Sequence, residues 1–177
     1  MRVSVSFWLL VLAAVIVSPA QVVVSVLLAA FFHECGHLVM LRIFRVPVEG
    51  LRLTALGAVL YAKGAQRLSY GRELLVTLAG PAVNLFCALL AGAFAKYLAV
   101  LYVFAGANVV LCAYNLLPIP PLDGGRFVVE IYQRIRRKNV SVRAMNIMSI
   151  AGMALFLGFF AIMLNQDVQR FIFGNWS

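Results

Sequence analysis

What most limits the folds open to this chain is the recurrence of long apolar runs, at 3–17, 21–41, 74–95, 97–117 and 145–164. A helix needs about 20 apolar residues to cross a bilayer, so these runs read as spans, the first being the shortest. With 64% hydrophobic and only 12% charged residues, a water-soluble core is a poor fit. The chain therefore reads as an all-α polytopic membrane protein with about five transmembrane helices. It forms one domain over 1–177, without internal repeats, low-complexity tracts or a soluble regulatory domain. The opening "MRVSVSFWLLVLAAVIVSPAQ" also has the plan of a cleaved secretory leader, with small residues at Ser18-Pro19-Ala20. Cleavage would not invert any later span.

Two polar connections, 42–73 and 118–144, carry most of the net charge of +9. With a cytoplasmic amino terminus, Arg2, Arg42, Arg45, Arg52, Lys63, Arg67 and Arg72 lie inside, as do Arg126, Arg134, Arg136, Arg137, Lys138 and Arg143. Of the fifteen basic residues only Lys96 and Arg170 then lie outside, which is the positive-inside pattern. The charge reports orientation in a lipid bilayer, and no nucleic-acid partner is expected. Cys35, Cys87 and Cys112 are odd in number and sit in apolar runs, so they read as packing residues without a disulfide framework.

The stretch "LAAFFHECGHLVML" places both histidines of the chain inside such a run. At ~100° per residue His33 and His37 differ by ~400°, so they stack one turn apart on one face and can converge on one ion. Glu34 lies ~100° around from His33, beside the ion rather than on it. An HExxH zinc hydrolase needs this arrangement: two imidazoles hold the metal and the carboxylate takes a proton from the water the metal activates. The alternative is a set of buried polar residues bonding between helices. Ionisable groups in a membrane helix cost several kcal/mol on insertion scales, and His33 sits roughly 13 Å along the helix from Arg42, too deep for snorkelling. Idle placement is therefore a poor reading. Cys35 points to the opposite side of the helix.

A catalytic zinc usually has three protein ligands and an open position. With no third histidine, the remaining ligand must be a carboxylate or thiolate. Glu73 opens a helix, where the dipole accounts for it. Asp167 lies beyond the last span, Glu130 is on a basic amphipathic segment, and Glu49 adjoins a turn at Gly50. Asp123 remains, in "YNLLPIPPLDGGRF". Pro118, Pro120 and Pro121 break helical bonding there, and Gly124-Gly125 opens backbone conformations closed to other residues. Irregular backbone at membrane depth is tolerated where protein buries it or it lines a wet cavity. Alternatively Asp123 only caps the helix that follows.

"HECGH", "AGPAVNL" and "NLLPIPPLDGG", in that order, resemble the site-2 protease family of intramembrane zinc metalloproteases. The likeness runs from about Leu27 to Arg126 and is close to the sporulation sigma-factor-processing branch in "NLLPIPPLDGGR". The resemblance implies a Zn2+ cofactor held by His33, His37 and Asp123, Glu34 as general base, and Asn115 near the active site. Pro120 and Gly57 are expected to shape the site or bind substrate. Pro81 and Asn84 match the family's middle motif, read as helix packing. The chain departs from the family pattern in having no PDZ-like insertion, no soluble regulatory domain and one clear span after the aspartate. The implied setting is a bacterial cytoplasmic membrane, with the site opening to the cytoplasm. The implied partner is a membrane protein or membrane-associated peptide substrate, with room for a membrane regulator. Oligomeric state, substrate identity and organism stay open.

The first connection, "VPVEGLRLTALGAVLYAKGAQ", reads as a membrane-associated β-hairpin whose edge could take up an extended substrate; a plain amphipathic linker is the alternative. Residues 126–138 place Phe127, Ile131 and Ile135 on one face among basic groups, as on an inner membrane surface. Together these features describe an intramembrane metalloprotease. The competing classes are a non-catalytic membrane scaffold, which needs neither Glu34 nor Asp123, and a metal transporter, which needs no glutamate beside the first histidine.

Overall fold

Three helices carry the centre of the molecule: α2 (Ala20–Ile43), α3 (Tyr70–Phe94) and α4 (Val100–Asn115), each packed on the other two. Before them, β1 (Arg2–Val3) leads into α1 (Val5–Val17), which touches α2 and the strand β2 (Val48–Thr54). The strand β3 (Gly57–Ala62) completes this part, and α5 (Asp123–Arg136) follows later in the chain. The structure, a computed structural model, describes residues 2–54, 57–63, 68–119, 122–136, 140–141, 143–152 and 154. The chain divides into two compact units, Met1–Leu117 and Pro118–Ser177.

Packing in the first unit is inverted relative to a soluble protein. Most of its buried positions are small or polar, among them Ala29, Gly36, Gly80, Asn84, Ala88, Ala91 and Asn108. Large apolar side chains such as Trp8, Leu85, Phe86, Leu89 and Val110 face outward. Small residues let helix backbones approach where lipid leaves no hydrophobic drive between helices, and the large residues meet the acyl chains. The fold is membrane-like and polytopic.

Local chemistry sets the element ends. Ser18 is extended and Pro19 opens α2, which separates it from α1. At the other end of α2 the chain turns through Arg45, whose φ is +58°. There the N–H of Arg45 donates to the Arg42 carbonyl and that of Val46 to the Leu41 carbonyl. Leu41 and Val46 are both buried. This is a Schellman stop, made without the usual glycine.

The sequence-based expectation of five spans needs correction. Among the described residues two helices, α2 and α3, are long and apolar enough to cross a membrane. At 1.5 Å per residue, α1 and α4 reach only about 20 Å and about 24 Å, short of a hydrocarbon core of about 30 Å. The lost length has causes. Arg2 and Val3 are taken by the sheet, and Ser4 is extended before α1 starts. Tyr97 and Leu98 close a turn onto Phe94 and Ala95, so α4 begins only at Val100, and it ends at Asn115 with a turn before Pro118. The last apolar run is helical over 143–152, and its part from 155 onward lies outside the described residues.

The expected hairpin is present: β2 and β3 pair antiparallel from Val48↔Ala62 to Thr54↔Gly57, with an irregularity between Val48 and Gly50. Reading the sheet as a hairpin alone missed a third strand. β1 pairs parallel to β2, Arg2 opposite Arg52 and Val3 opposite Leu53, giving the order β1-β2-β3. The amino terminus and the first connection therefore share one side of the helices.

In the second unit, the Leu122 N–H donates to the Ile119 carbonyl in a turn and α5 starts directly at Asp123. Ile135, on the face expected to lie along the membrane surface with Phe127 and Ile131, is 75% exposed. Asp123, Gly124, Gly125, Val129 and Glu130 are buried, so Glu130 does not belong to a solvated basic face.

Candidate metal centre

His33 and His37, one turn apart on α2, are buried at 5% and 8% exposure. Their Nε2 atoms stand 3.1 Å apart. Each imidazole is held from behind by its other nitrogen. His37 Nδ1 lies 2.8 Å from the Val76 carbonyl, which can only accept, so His37 donates from Nδ1. His33 Nδ1 lies 2.8 Å from Asn84 Oδ1. Both partners are on α3, so α2 supplies the rings and α3 fixes their orientation. Pro81 has no N–H to return to the turn of α3 that carries Val76 and Thr77.

Two glycines permit this. A Cβ on Gly36 would stand 2.5 Å from the Ala79 carbonyl oxygen, so the backbones of α2 and α3 touch there. A Cβ on Gly80 would stand 2.5 Å from His37 Nε2 and 2.7 Å from His33 Nε2. Residue 80 therefore has to be glycine if the ligating edges of both rings are to stay open.

With both Nδ1 atoms donating, the two Nε2 atoms present lone pairs toward each other, which suits a shared cation. Two nitrogens each about 2.0–2.1 Å from a tetrahedral zinc stand about 3.3 Å apart, close to the 3.1 Å observed. Both histidines in the first unit and Asp123 in the second are buried. Two imidazoles and a carboxylate are a donor set that zinc favours, with a fourth position left for water or substrate. The residues present fit the metal.

The other expected site residues are distributed as follows. Glu34 is half-buried in the same turn of α2 as His33, and Cys35 is half-buried beside it. Asn115 ends α4, where its Nδ2 donates to the Leu111 carbonyl at 3.0 Å. Gly57 opens β3 opposite Thr54. Pro120 and Pro121 lie outside the described residues. Asn84, read from sequence as helix packing, instead holds His33. Neither it nor Asn108, both wholly buried, has a spacing signal toward the histidines. The available hint was an amide in each of two apolar helices, where a polar group needs a reason.

Residues 91–159 match the profile of peptidase family M50. A Mycobacterium tuberculosis protein named as a zinc metalloprotease, Rip3, is 35% identical over 131 residues, 68% of this chain and 33% of that protein. A Campylobacter jejuni protein, also named as a zinc metalloprotease, is 36% identical over 72 residues, 41% of this chain and 20% of that protein. The matched regions thus span between a fifth and a third of these relatives. Among solved structures, the site-2 protease from Methanocaldococcus jannaschii superposes with a TM-score of 0.75 at 20% identity. That superposition covers 94% of this chain and 81% of the other, and the shared property is the fold.

Proposed function

We propose, on the premise that this chain belongs to the site-2 protease (M50 peptidase) family, that it is an intramembrane zinc metalloprotease. It would cut peptide bonds in or near transmembrane segments. The observation that carries this is the paired imidazoles, Nε2 to Nε2 at 3.1 Å with each Nδ1 already engaged. His33, His37 and Asp123 hold the metal. Zinc bound there supplies Lewis-acid polarisation of the scissile carbonyl and lowers the pKa of water. Glu34 accepts the proton of the attacking water and passes it to the leaving amine nitrogen. Val76 and Asn84 keep both rings in the ligating orientation, and Gly80 keeps bulk away from them. Asp123→Ala is expected to lose both zinc and cleavage. Metal analysis showing full occupancy in that variant would move the third ligand to another acid.

Substrate enters as an extended segment. β3 is an edge strand in the order β1-β2-β3, with Val59 and Tyr61 exposed, and an edge offers backbone groups for strand addition. A transmembrane helix hides its peptide bonds in its own hydrogen bonds, so it must unwind locally before the cut. A single catalytic domain and closeness to the sporulation sigma-factor-processing branch belong to this reading.

The site opens to the cytoplasm of a bacterial cell. The pairing of Arg2–Val3 with β2 supports this, because it puts the amino terminus with the basic first connection. In a variant lacking Cys35, Cys87 and Cys112, single cysteines at Lys63 and Lys96 separate the two sides. An impermeant thiol reagent on intact cells is expected to label position 96 and spare position 63; the opposite pattern would invert the topology.

A further inference from the structure

Among the described residues the largest wholly buried side chains are two amides, Asn84 on α3 and Asn108 on α4. They form one chain of hydrogen bonds from α4 to the metal-binding edge of α2. Asn108 Nδ2 lies 2.8 Å from the Phe104 carbonyl, one turn back in its own helix. A carbonyl oxygen only accepts, so the Asn108 amide is fixed with its NH2 toward Phe104 and its Oδ1 toward α3. That oxygen lies 3.2 Å from Asn84 Nδ2, which also reaches the Ala29 carbonyl at 3.4 Å. Both neighbours are acceptors, so Asn84 turns its NH2 to them and its Oδ1 to His33. At 2.8 Å from an oxygen, His33 Nδ1 must carry the hydrogen. Its Nε2 is then left with the lone pair a metal needs.

We propose that Asn108 is a positioning residue for the metal centre: through Asn84 it sets the direction of a buried amide relay that holds His33 as an Nε2 ligand. This rests on the metal-site reading above. The polarity of the relay originates in the Phe104 carbonyl, two helices away from the ion, and no group along it can reverse without burying an unpaired donor or acceptor. His37 is independent of it, being tied to the Val76 carbonyl. A residue that only packed α3 against α4 would affect both histidines alike. A relay affects His33 alone.

The full chain in lipid nanodiscs, loaded with zinc and labelled with 15N in histidine, gives the test, because its two histidines yield two Nδ1–H signals. Asn108→Leu removes both halves of the relay. Zinc affinity, measured by competition with a chromogenic chelator, is expected to fall about tenfold, the lower end for groups that hydrogen-bond a metal-binding histidine. The His33 Nδ1–H is expected to exchange with water at least about tenfold faster, as a donor whose buried acceptor is no longer held. The His37 signal stays. Asn108→Asp is expected to restore both readouts, since a buried carboxyl is driven to its neutral form and then donates from one oxygen while accepting at the other. An unchanged His33 signal with wild-type affinity in the leucine variant would overturn the relay, as would equal loss at both histidines with no rescue by aspartate. Wild-type protein that takes up no zinc would instead overturn the metal site itself.

Discussion

Replacing Glu34 by glutamine will leave zinc at its wild-type occupancy and lower peptide cleavage by a factor on the order of 10² to 10⁴, the usual contribution of a positioned general base. The change exchanges one carboxylate oxygen for an amide nitrogen, so the volume and the helix are preserved. The proposed metal donors, His33, His37 and Asp123, are not touched. Loss of both zinc and activity would make Glu34 a ligand or a structural support. Undiminished cleavage would remove it from the chemistry. Metal content and turnover must be read on the same preparation, because only their separation identifies a base.

Gly80→Ala will weaken zinc binding by about a hundredfold, the upper end for changes beside a metal-binding histidine. The added carbon would lie within 2.7 Å of both Nε2 atoms. Helix α3 has no easy retreat, since the Val76 carbonyl and Asn84 on the same helix hold the two rings. The variant is nonetheless expected to fold, as alanine favours a helix interior by roughly 1 kcal/mol over glycine. Gly92→Ala, on the same helix where an added carbon meets nothing within 4 Å, is the control and will keep its zinc. Retention of zinc in Gly80→Ala, measured by metal analysis after chelator challenge, would show that the helices do not approach as closely as described.

The histidine pair was legible because its signal is local: four residues on a helix make one turn, whatever the rest of the chain does. Asp123 was reached by eliminating the other acids, a weaker route open only because the chain has few acidic residues. The hairpin showed itself through short β-branched runs between glycines. β1 did not, since two residues carry no periodicity and their pairing with β2 is a long-range event. The ends of α4 were overestimated because hydropathy runs on through Leu98, Leu116 and Leu117, while the backbone there is already turning. Asn84 and Asn108 were the least legible. Their meaning lies in hydrogen bonds spanning 51 and 24 residues of sequence, which no spacing rule encodes.

A bilayer assay with one defined substrate bears most directly on the central assignment. The purified chain is reconstituted into liposomes with a single-span peptide carrying a helix-breaking residue within its span, and the product termini are read by mass spectrometry. Cleavage at a bond inside or bordering the span, stopped by a zinc chelator and restored by added zinc, is the expected result. Zinc bound at one ion per chain with no cleavage of any such peptide would contradict the protease assignment, and cleavage that persists in the chelator would contradict the metal centre.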